Sequence, residues 1–468
     1  MRTPPLASGP EGPHALRPLL DIVLRALDDG ARARGGPLPA GGPDVVAARL
    51  REAVGEALPD QGDPQALRTL VRAFAEGAAD PAHPLCAAHL HCPPLALAAA
   101  ADLAASALNP SLDSWDQAPA ASELETLVAT ALAAEVYEAG GDAGTGPDSL
   151  ITTGGTESNQ LALLLAREAY GGSVRLVCGA NAHHSLARAA WLLGLPEPVV
   201  VPAPAGTLHP AALDEALSRL PGPLLVAATA GTTDAGLIDP LPEIAARCAA
   251  HRARLHIDAA YGGGLLFSDR HRPRLAGLDA ADTVTLDLHK LGWQPVAAGL
   301  LAVKDPRDLT ALRHRADYLN AADDTEAGLP DLLGRSLRTT RRPDVLKLAV
   351  TLKTLGRSGL GALVDQVCAR AAEFAALVEE HPGFELHARP VISTVLFRPA
   401  GAGDTIVAAV RRALLTDGRA VLGRARLDGR LWLKATLLNP ATGPDDLAAL
   451  LHLVTARQAT LVEGHTPR

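Results

Sequence analysis

Asp282-Thr283-Val284-Thr285-Leu286-Asp287-Leu288-His289-Lys290-Leu291-Gly292-Trp293 reads as a short buried strand that breaks into a turn. The β-branched and leucine residues of 283–286 supply the strand. The turn then presents a carboxylate, an imidazole and an amine within four positions. Lysine is seldom buried without a partner, so one at the end of an apolar strand either carries its amine out to water or holds it in a pocket for chemistry. The stretch alone leaves both readings open, and the rest of the chain decides between them.

Working outward, short apolar runs at 174–177, 199–201, 224–228, 255–257, 283–286 and 300–303 alternate with helical patterns. Strands alternating with helices predict an α/β fold, a mostly parallel sheet sandwiched by helices. In such sheets a ligand sits beyond the carboxyl ends of the strands, and the polar motifs of this chain fall in the loops at those ends.

The flanks differ in texture. Residues 1–16 are rich in Pro and Gly, and Leu16, Leu19, Leu20, Val23, Leu24 and Leu27 then recur at helical spacing until Gly30, which is expected to stop the helix. A second helical pattern covers 45–58, so the first eighty residues read as helices that need something to lie on. Between 83 and 125, His89, His91 and Trp115 stand among polar residues set between apolar helices, which makes them pocket candidates or members of hydrogen-bonded loops. The charged segment 306–334 is long for a connector and reads as a mobile loop carrying Tyr318. Helices at 342–356 and up to 378, with strands near 391–397 and 431–436, complete the pattern. The expected division is an N-terminal helical segment 1–82, a large α/β domain 83–345 and a small C-terminal α+β domain 346–468.

Composition excludes several classes of function. A net charge of −9 with scattered Lys and Arg leaves no basic footprint for nucleic acid, and mildly suits a cationic substrate. The alanine-rich run 95–108 is shorter than a membrane span and contains Asp102, so no membrane association is expected. The start of the chain lacks the apolar core of a secretory signal. Five cysteines with no CxxC spacing read as buried thiols of a reducing cytoplasm, and no metal site is indicated.

Four further segments supply chemistry. Thr152-Thr153-Gly154-Gly155-Thr156-Glu157-Ser158-Asn159 places glycines and hydroxyls at a helix start, where free N–H groups and the dipole favour a phosphate, although ordinary capping uses the same residues. The stretch lacks the lysine of a P-loop and the spacing of a dinucleotide fingerprint, so a smaller phosphate ester fits better. His256-Ile257-Asp258-Ala259-Ala260 ends an apolar strand on a carboxylate that would be destabilised by burial unless a cation faced it. A protonated pyridine nitrogen is such a cation. His183 follows the strand at 174–177 as a ring-stacking or capping imidazole, and Thr232 ends another strand in a pocket or a plain turn.

Together these residues resemble the pyridoxal-phosphate-dependent group II amino-acid decarboxylases of fold type I, from about residue 83 to the C-terminus. The resemblance implies that Lys290 binds the cofactor covalently, Asp258 partners its ring nitrogen and His183 stacks on the ring. It implies that Gly155, Thr156 and His289 contact the phosphate with Asp287 beside them, that Ala260 lies under the ring, and that Thr232 lies near its phenolic oxygen or the substrate carboxylate. Tyr318 matches the mobile-loop tyrosine that returns a proton to Cα. Within the family the texture is similar to bacterial enzymes acting on L-2,4-diaminobutyrate and to siderophore-pathway lysine decarboxylases, through 89–94, 113–117 and 339–342, where His89, His91 and Trp115 become candidate substrate contacts. Pro343 departs from an expected phenylalanine and is expected to loosen packing. The N-terminal helices of the family cross over a partner subunit, which implies a homodimer with shared active sites.

The implied activity is that of a lyase, decarboxylation of a basic L-amino acid (2,4-diaminobutyrate, ornithine or lysine) to the amine and carbon dioxide. Alternatives are an aromatic L-amino-acid decarboxylase, an aminotransferase, or an oxygen-consuming relative that yields an aldehyde. Retention of Lys290, Asp258, His183 and Tyr318 together argues against a silent scaffold.

Overall fold

The strands run, in order, β1 (Cys86–Ala87), β2 (Asp148–Thr152), β3 (Arg175–Gly179), β4 (Val199–Val201), β5 (Leu224–Thr229), β6 (Arg254–Ala259), β7 (Thr283–Asp287), β8 (Gly299–Val303), β9 (Phe384–Leu386), β10 (Thr394–Pro399), β11 (Val421–Leu427) and β12 (Arg430–Thr436). They belong to a computed structural model that describes residues 4–138, 146–316 and 318–463. By packing, the chain groups into two compact units, Met1–Pro93 with Ala369–Arg468, and Pro94–Cys368. The sequence reading had drawn its borders at 82/83 and 345/346.

In the unit Pro94–Cys368, a seven-stranded sheet has the order β2-β8-β7-β6-β5-β3-β4. Neighbours from β7 through β4 are parallel, and β8 alone runs against them, paired antiparallel to both β7 and β2. This is the mostly parallel α/β sheet that the alternation predicts, since near-continuous burial along β5, β6, β7 and β8 requires helices on both faces. The strand β2 escaped the sequence reading because Asp148 and Ser149 open it with polar side chains. Arg335 bonds both Asp148 oxygens at 2.8 and 2.9 Å, and Ser149 donates to Ala129 O, so burial there is satisfied.

The other unit carries a five-stranded sheet, β1-β11-β12-β10-β9, whose core includes Phe374, Phe397, Leu433 and Val454. The N-terminal residues lie on this unit's own C-terminal part: Cys86 pairs with Val421, and Asn439 donates to Ala82 O at 2.7 Å. Helix Gly12–Arg34 does not stop at Gly30. A Cβ there would stand 2.6 Å from Arg72 O and 2.7 Å from Ala75 Cβ, so the glycine serves close approach to helix Ala66–Gly77, and the stop falls at the left-handed Gly35. The two C-terminal helices expected at 342–356 and up to 378 form one element, Val345–Glu380, interrupted at Gly356 with φ 64°. Pro343 lies buried just before that element and its carbonyl accepts Leu346 N–H, so a proline fits the entry to a helix instead of loosening it.

Candidate active site

Two apolar strands carry an out-of-place polar stripe. Alternation along β6 puts His256 and Asp258 on one face, and the register with β7 sets them beside Thr283 and Thr285. All four are buried, and helix Gly155–Ala169 covers them with Asn159, four residues after Gly155 and so on the same helical face. Asn159 Nδ2 donates to Asp258 Oδ2 at 2.8 Å and to Ser185 Oγ at 2.9 Å, and its Oδ1 lies 2.8 Å from Thr285 Oγ1 and 3.0 Å from His256 Nε2. Asp258 Oδ1 accepts Ala260 N–H at 3.1 Å.

Next to it, at the carboxyl end of β7, Lys290 Nζ stands 2.9 Å from Asp287 Oδ2 and the Lys290 side chain is only 18% exposed. His289 Nε2 lies 3.4 Å from the same carboxylate oxygen, and its Nδ1 faces Ala298 O at 3.3 Å. Burial lowers the proton affinity of His289, opposed by the Asp287 carboxylate. The turn is stiff: Leu288 N–H bonds Ala298 O, Gln294 N–H bonds Leu288 O, and Leu291 and Trp293 are buried. The Lys290 amine is thus paired with a buried carboxylate on a constrained turn and is not carried out to water.

The helix start meets this turn through glycines. Gly154 has φ 150°, and a Cβ on it would come 2.9 Å from His289 Cε1; one on Gly155 would come 3.0 Å from Ala260 Cβ and 3.2 Å from Asp287 Oδ2. Glu157 reaches back to Thr153 N–H at 2.6 Å, a capping contact that keeps the carboxylate off the remaining N–H groups of the first turn. Thr156 is exposed at the second helical position. His183 caps helix His184–Leu192 with Nδ1 2.8 Å from Ser185 Oγ, and burial lowers its proton affinity.

The structure therefore brings together Gly155, Ala260, Asp258, Asp287, His289 and Lys290, and links His183 to them through Ser185 and Asn159. Thr232 is buried nearby in sequence order after β5, with its hydroxyl accepting Leu237 N–H at 3.0 Å across a turn. Tyr318 is 82% exposed, and Trp115 stands half-exposed in the turn where Gln117 bonds Asp113 at 2.7 Å. His89 and His91 are exposed after β1 in the other unit, His89 with φ 64°. Arg341, part of the motif at 339–342, forms a buried pair with Glu125 at 2.7 Å and so serves packing. Sequence reasoning assigned nothing to Asn159, Ser185, His256 or Thr285. For His256 and Thr285 the signal was the alternation of polar residues inside apolar strands; Asn159 and Ser185 stand in the first turns of helices, where polar residues ordinarily cap.

These groups suit a phosphorylated aldehyde with a basic ring nitrogen. A buried carboxylate at Asp258 awaits a cation, a constrained amine at Lys290 can meet an aldehyde, and two glycines clear the helix start. Asp287 Oδ1, buried with no hydrogen-bond partner, lies 3.6 Å from where a Gly154 Cβ would be, so polar capacity remains at that opening.

The pyridoxal-dependent decarboxylase conserved domain matches residues 49–400. The chain is 41% identical over 424 residues to an L-2,4-diaminobutyrate decarboxylase of Rhizobium meliloti (strain 1021), covering 86% of this chain and 83% of that one. An L-2,4-diaminobutyrate decarboxylase of Acinetobacter baumannii is 33% identical over 433 residues, 84% of each chain. The solved glutamate decarboxylase domain of the diaminobutyrate-pyruvate transaminase and L-2,4-diaminobutyrate decarboxylase from Vibrio parahaemolyticus superposes with a TM-score of 0.85 at 30% identity, covering 97% of this chain and 98% of that one. The matched span takes in the polar stripe, the Lys290 turn and the glycine helix start, and the chain belongs to the pyridoxal-dependent decarboxylase family, carboxy-lyases that act on amino acids with pyridoxal phosphate.

Proposed function

We propose that the chain decarboxylates L-2,4-diaminobutyrate to the corresponding diamine, as a cytoplasmic homodimer. The observation that carries the substrate is the likeness, along most of both chains, to two L-2,4-diaminobutyrate decarboxylases. The dimer is supported by helices Gly12–Arg34 and Ala66–Gly77, which keep Leu24 and Phe74 at 64% and 71% exposure in the single chain. Five free thiols suit a reducing compartment. Sedimentation as a monomer at micromolar concentration would remove the dimer.

Pyridoxal phosphate supplies an aldehyde for amines and a ring that accepts the electron pair released as carbon dioxide leaves. Lys290 would hold the cofactor through its amine, which lies beside Asp287. Asp258 would partner the ring nitrogen, whose protonated form makes the ring a better electron acceptor. His183 would cover the ring face and keep water from it. Gly155, Thr156 and His289 would receive the phosphate at the helix start, with Asp287 orienting His289 and Lys290. Ala260, packed on Gly155, would lie under the ring, and Thr232 would serve its phenolic oxygen or the substrate carboxylate. Tyr318 returns a proton to Cα from the loop.

An amine-product screen with 2,4-diaminobutyrate, ornithine, lysine and the proteinogenic amino acids tests the substrate. Diaminobutyrate should exceed the others in kcat/KM, and a preference for an aromatic or acidic amino acid would overturn the assignment.

The exposed position of Tyr318 sets a second expectation. If its hydroxyl delivers the proton, Tyr318→Phe binds cofactor and substrate as before and releases carbon dioxide, but amine yield falls and aldehyde appears where oxygen is present. Quantifying carbon dioxide, amine and aldehyde together checks this. Full amine yield at the native rate would take the tyrosine out of the mechanism.

A further inference from the structure

We propose that Asn159 is a positioning residue that ties Asp258 and His183 into one hydrogen-bonded unit and holds the His183 imidazole with its proton on Nε2. The assignment follows from which atoms can only accept and which can only donate. An ionised carboxylate only accepts, so the Asn159 atom 2.8 Å from Asp258 Oδ2 is the amide NH2. That orients the amide. Its oxygen then faces Thr285 Oγ1 and His256 Nε2, and both must donate to it.

His256 consequently carries its proton on Nε2, and its bare Nδ1 accepts from Thr283 Oγ1 at 2.9 Å. Complete burial keeps this ring neutral, with the pKa lowered to about 4. A neutral, fully bonded imidazole behind the amide prevents Asn159 from flipping, because a reversed amide would turn its NH2 toward His256 Nε2–H and its oxygen toward the carboxylate.

The second N–H of Asn159 goes to Ser185 Oγ, which fills all four hydrogen-bonding positions of the amide. Ser185 is fully buried, and its oxygen already accepts, so its own proton is directed to His183 Nδ1 at 2.8 Å. If Nδ1 carried a proton instead, the serine proton would be left buried without an acceptor, the expensive outcome. The backbone N–H of Ser185 also points at Nδ1, at 3.4 Å, and likewise requires it bare. Two donors on one nitrogen leave the imidazole proton on Nε2.

One amide thus sets two properties of the site: with Ala260 N–H it holds the Asp258 carboxylate in orientation, and it fixes which nitrogen of His183 can donate. The consequence for cofactor affinity rests on the functional reading above. The proton assignment does not.

The experiment uses the full chain freed of cofactor, with 15N-labelled histidine, the His183 signals being identified by their loss in His183→Gln. Wild-type protein should show His183 neutral, with Nδ1 unprotonated and Nε2 protonated. In Ser185→Ala the Nδ1-protonated form becomes populated while affinity for added pyridoxal phosphate, followed by fluorescence titration, stays within about twofold, since Asp258 keeps its partners. In Asn159→Ala the serine oxygen loses its amide donor and can accept from Nδ1–H, its own proton turning to the space the amide leaves, so the Nδ1-protonated form is populated, and affinity falls on the order of tenfold, the scale of one hydrogen bond to a charged group. A proton on Nδ1 in wild type, or an Asn159→Ala protein that keeps both tautomer and affinity, overturns the proposal. Should Asn159→Ala not fold, the wild-type and Ser185→Ala signals still decide it. Wild-type protein that fails to bind pyridoxal phosphate overturns the functional reading, while a His183 proton on Nε2 in the same sample still supports the network.

Discussion

Lys290→Ala is expected to lose turnover by roughly 10⁴-fold or more, the scale on which an essential nucleophile is felt. The fold should survive, because the Leu288–Ala298 turn is held by its own backbone bonds and by buried Leu291 and Trp293, none of which involves the lysine side chain. Removing the ammonium does leave Asp287, buried to 3% side-chain exposure, with only His289 at 3.4 Å, so a stability loss of a few kcal/mol accompanies the catalytic one. The informative readout is covalent. Borohydride reduction should add the mass of the reduced cofactor to wild-type chain and leave Lys290→Ala unmodified. Wild-type activity in the variant, or a reduced adduct on another residue, would sink the assignment of Lys290.

Asp258→Asn should slow decarboxylation on the order of 10²- to 10³-fold, the effect of deleting one well-placed electrostatic partner. Two separate causes add. The neutral amide no longer stabilises a protonated ring nitrogen, and it cannot accept at both ends: Asn159 Nδ2 and Ala260 N–H each donate to Asp258, so the new NH2 must confront one of them. Cofactor affinity should therefore fall along with the rate. The measurement is kcat at saturating pyridoxal phosphate beside the dissociation constant of the cofactor, and an unchanged kcat would mean that another acid serves the ring nitrogen.

Much of the large unit was legible because its strands are buried on both faces and so appear as unbroken apolar runs. β4 was read to the residue, and β5, β6, β7 and β8 to within one or two positions. β2 was missed because its burial is completed by Arg335, far away in sequence, which no local pattern reveals. Gly30 was misjudged for a related reason: a glycine that stops a helix and one that lets another helix approach look alike until the neighbour is known. In the site, the residues with unusual chemistry at strand ends stood out, Asp258, Asp287, His289 and Lys290 among them. Asn159 and Ser185 did not, since a polar residue near a helix start ordinarily means capping, and only the register of β6 on β7 shows what they face.

The antiparallel strand β8 has a consequence for how the protein is made. β2, with the glycine turn behind it, leaves the ribosome early, yet its sheet neighbour among the described residues is β8, so Thr152 must wait for Gly299 through the synthesis of β3 to β7. During that interval Leu150 and Ile151 have no strand to cover their backbone. The pairing spans most of the unit, which makes it slow to close by loop entropy. The opening between Gly154 and His289 lies where β2 meets β8, Thr152 against Gly299, and is therefore bordered by a pairing that cannot form until β8 has been translated.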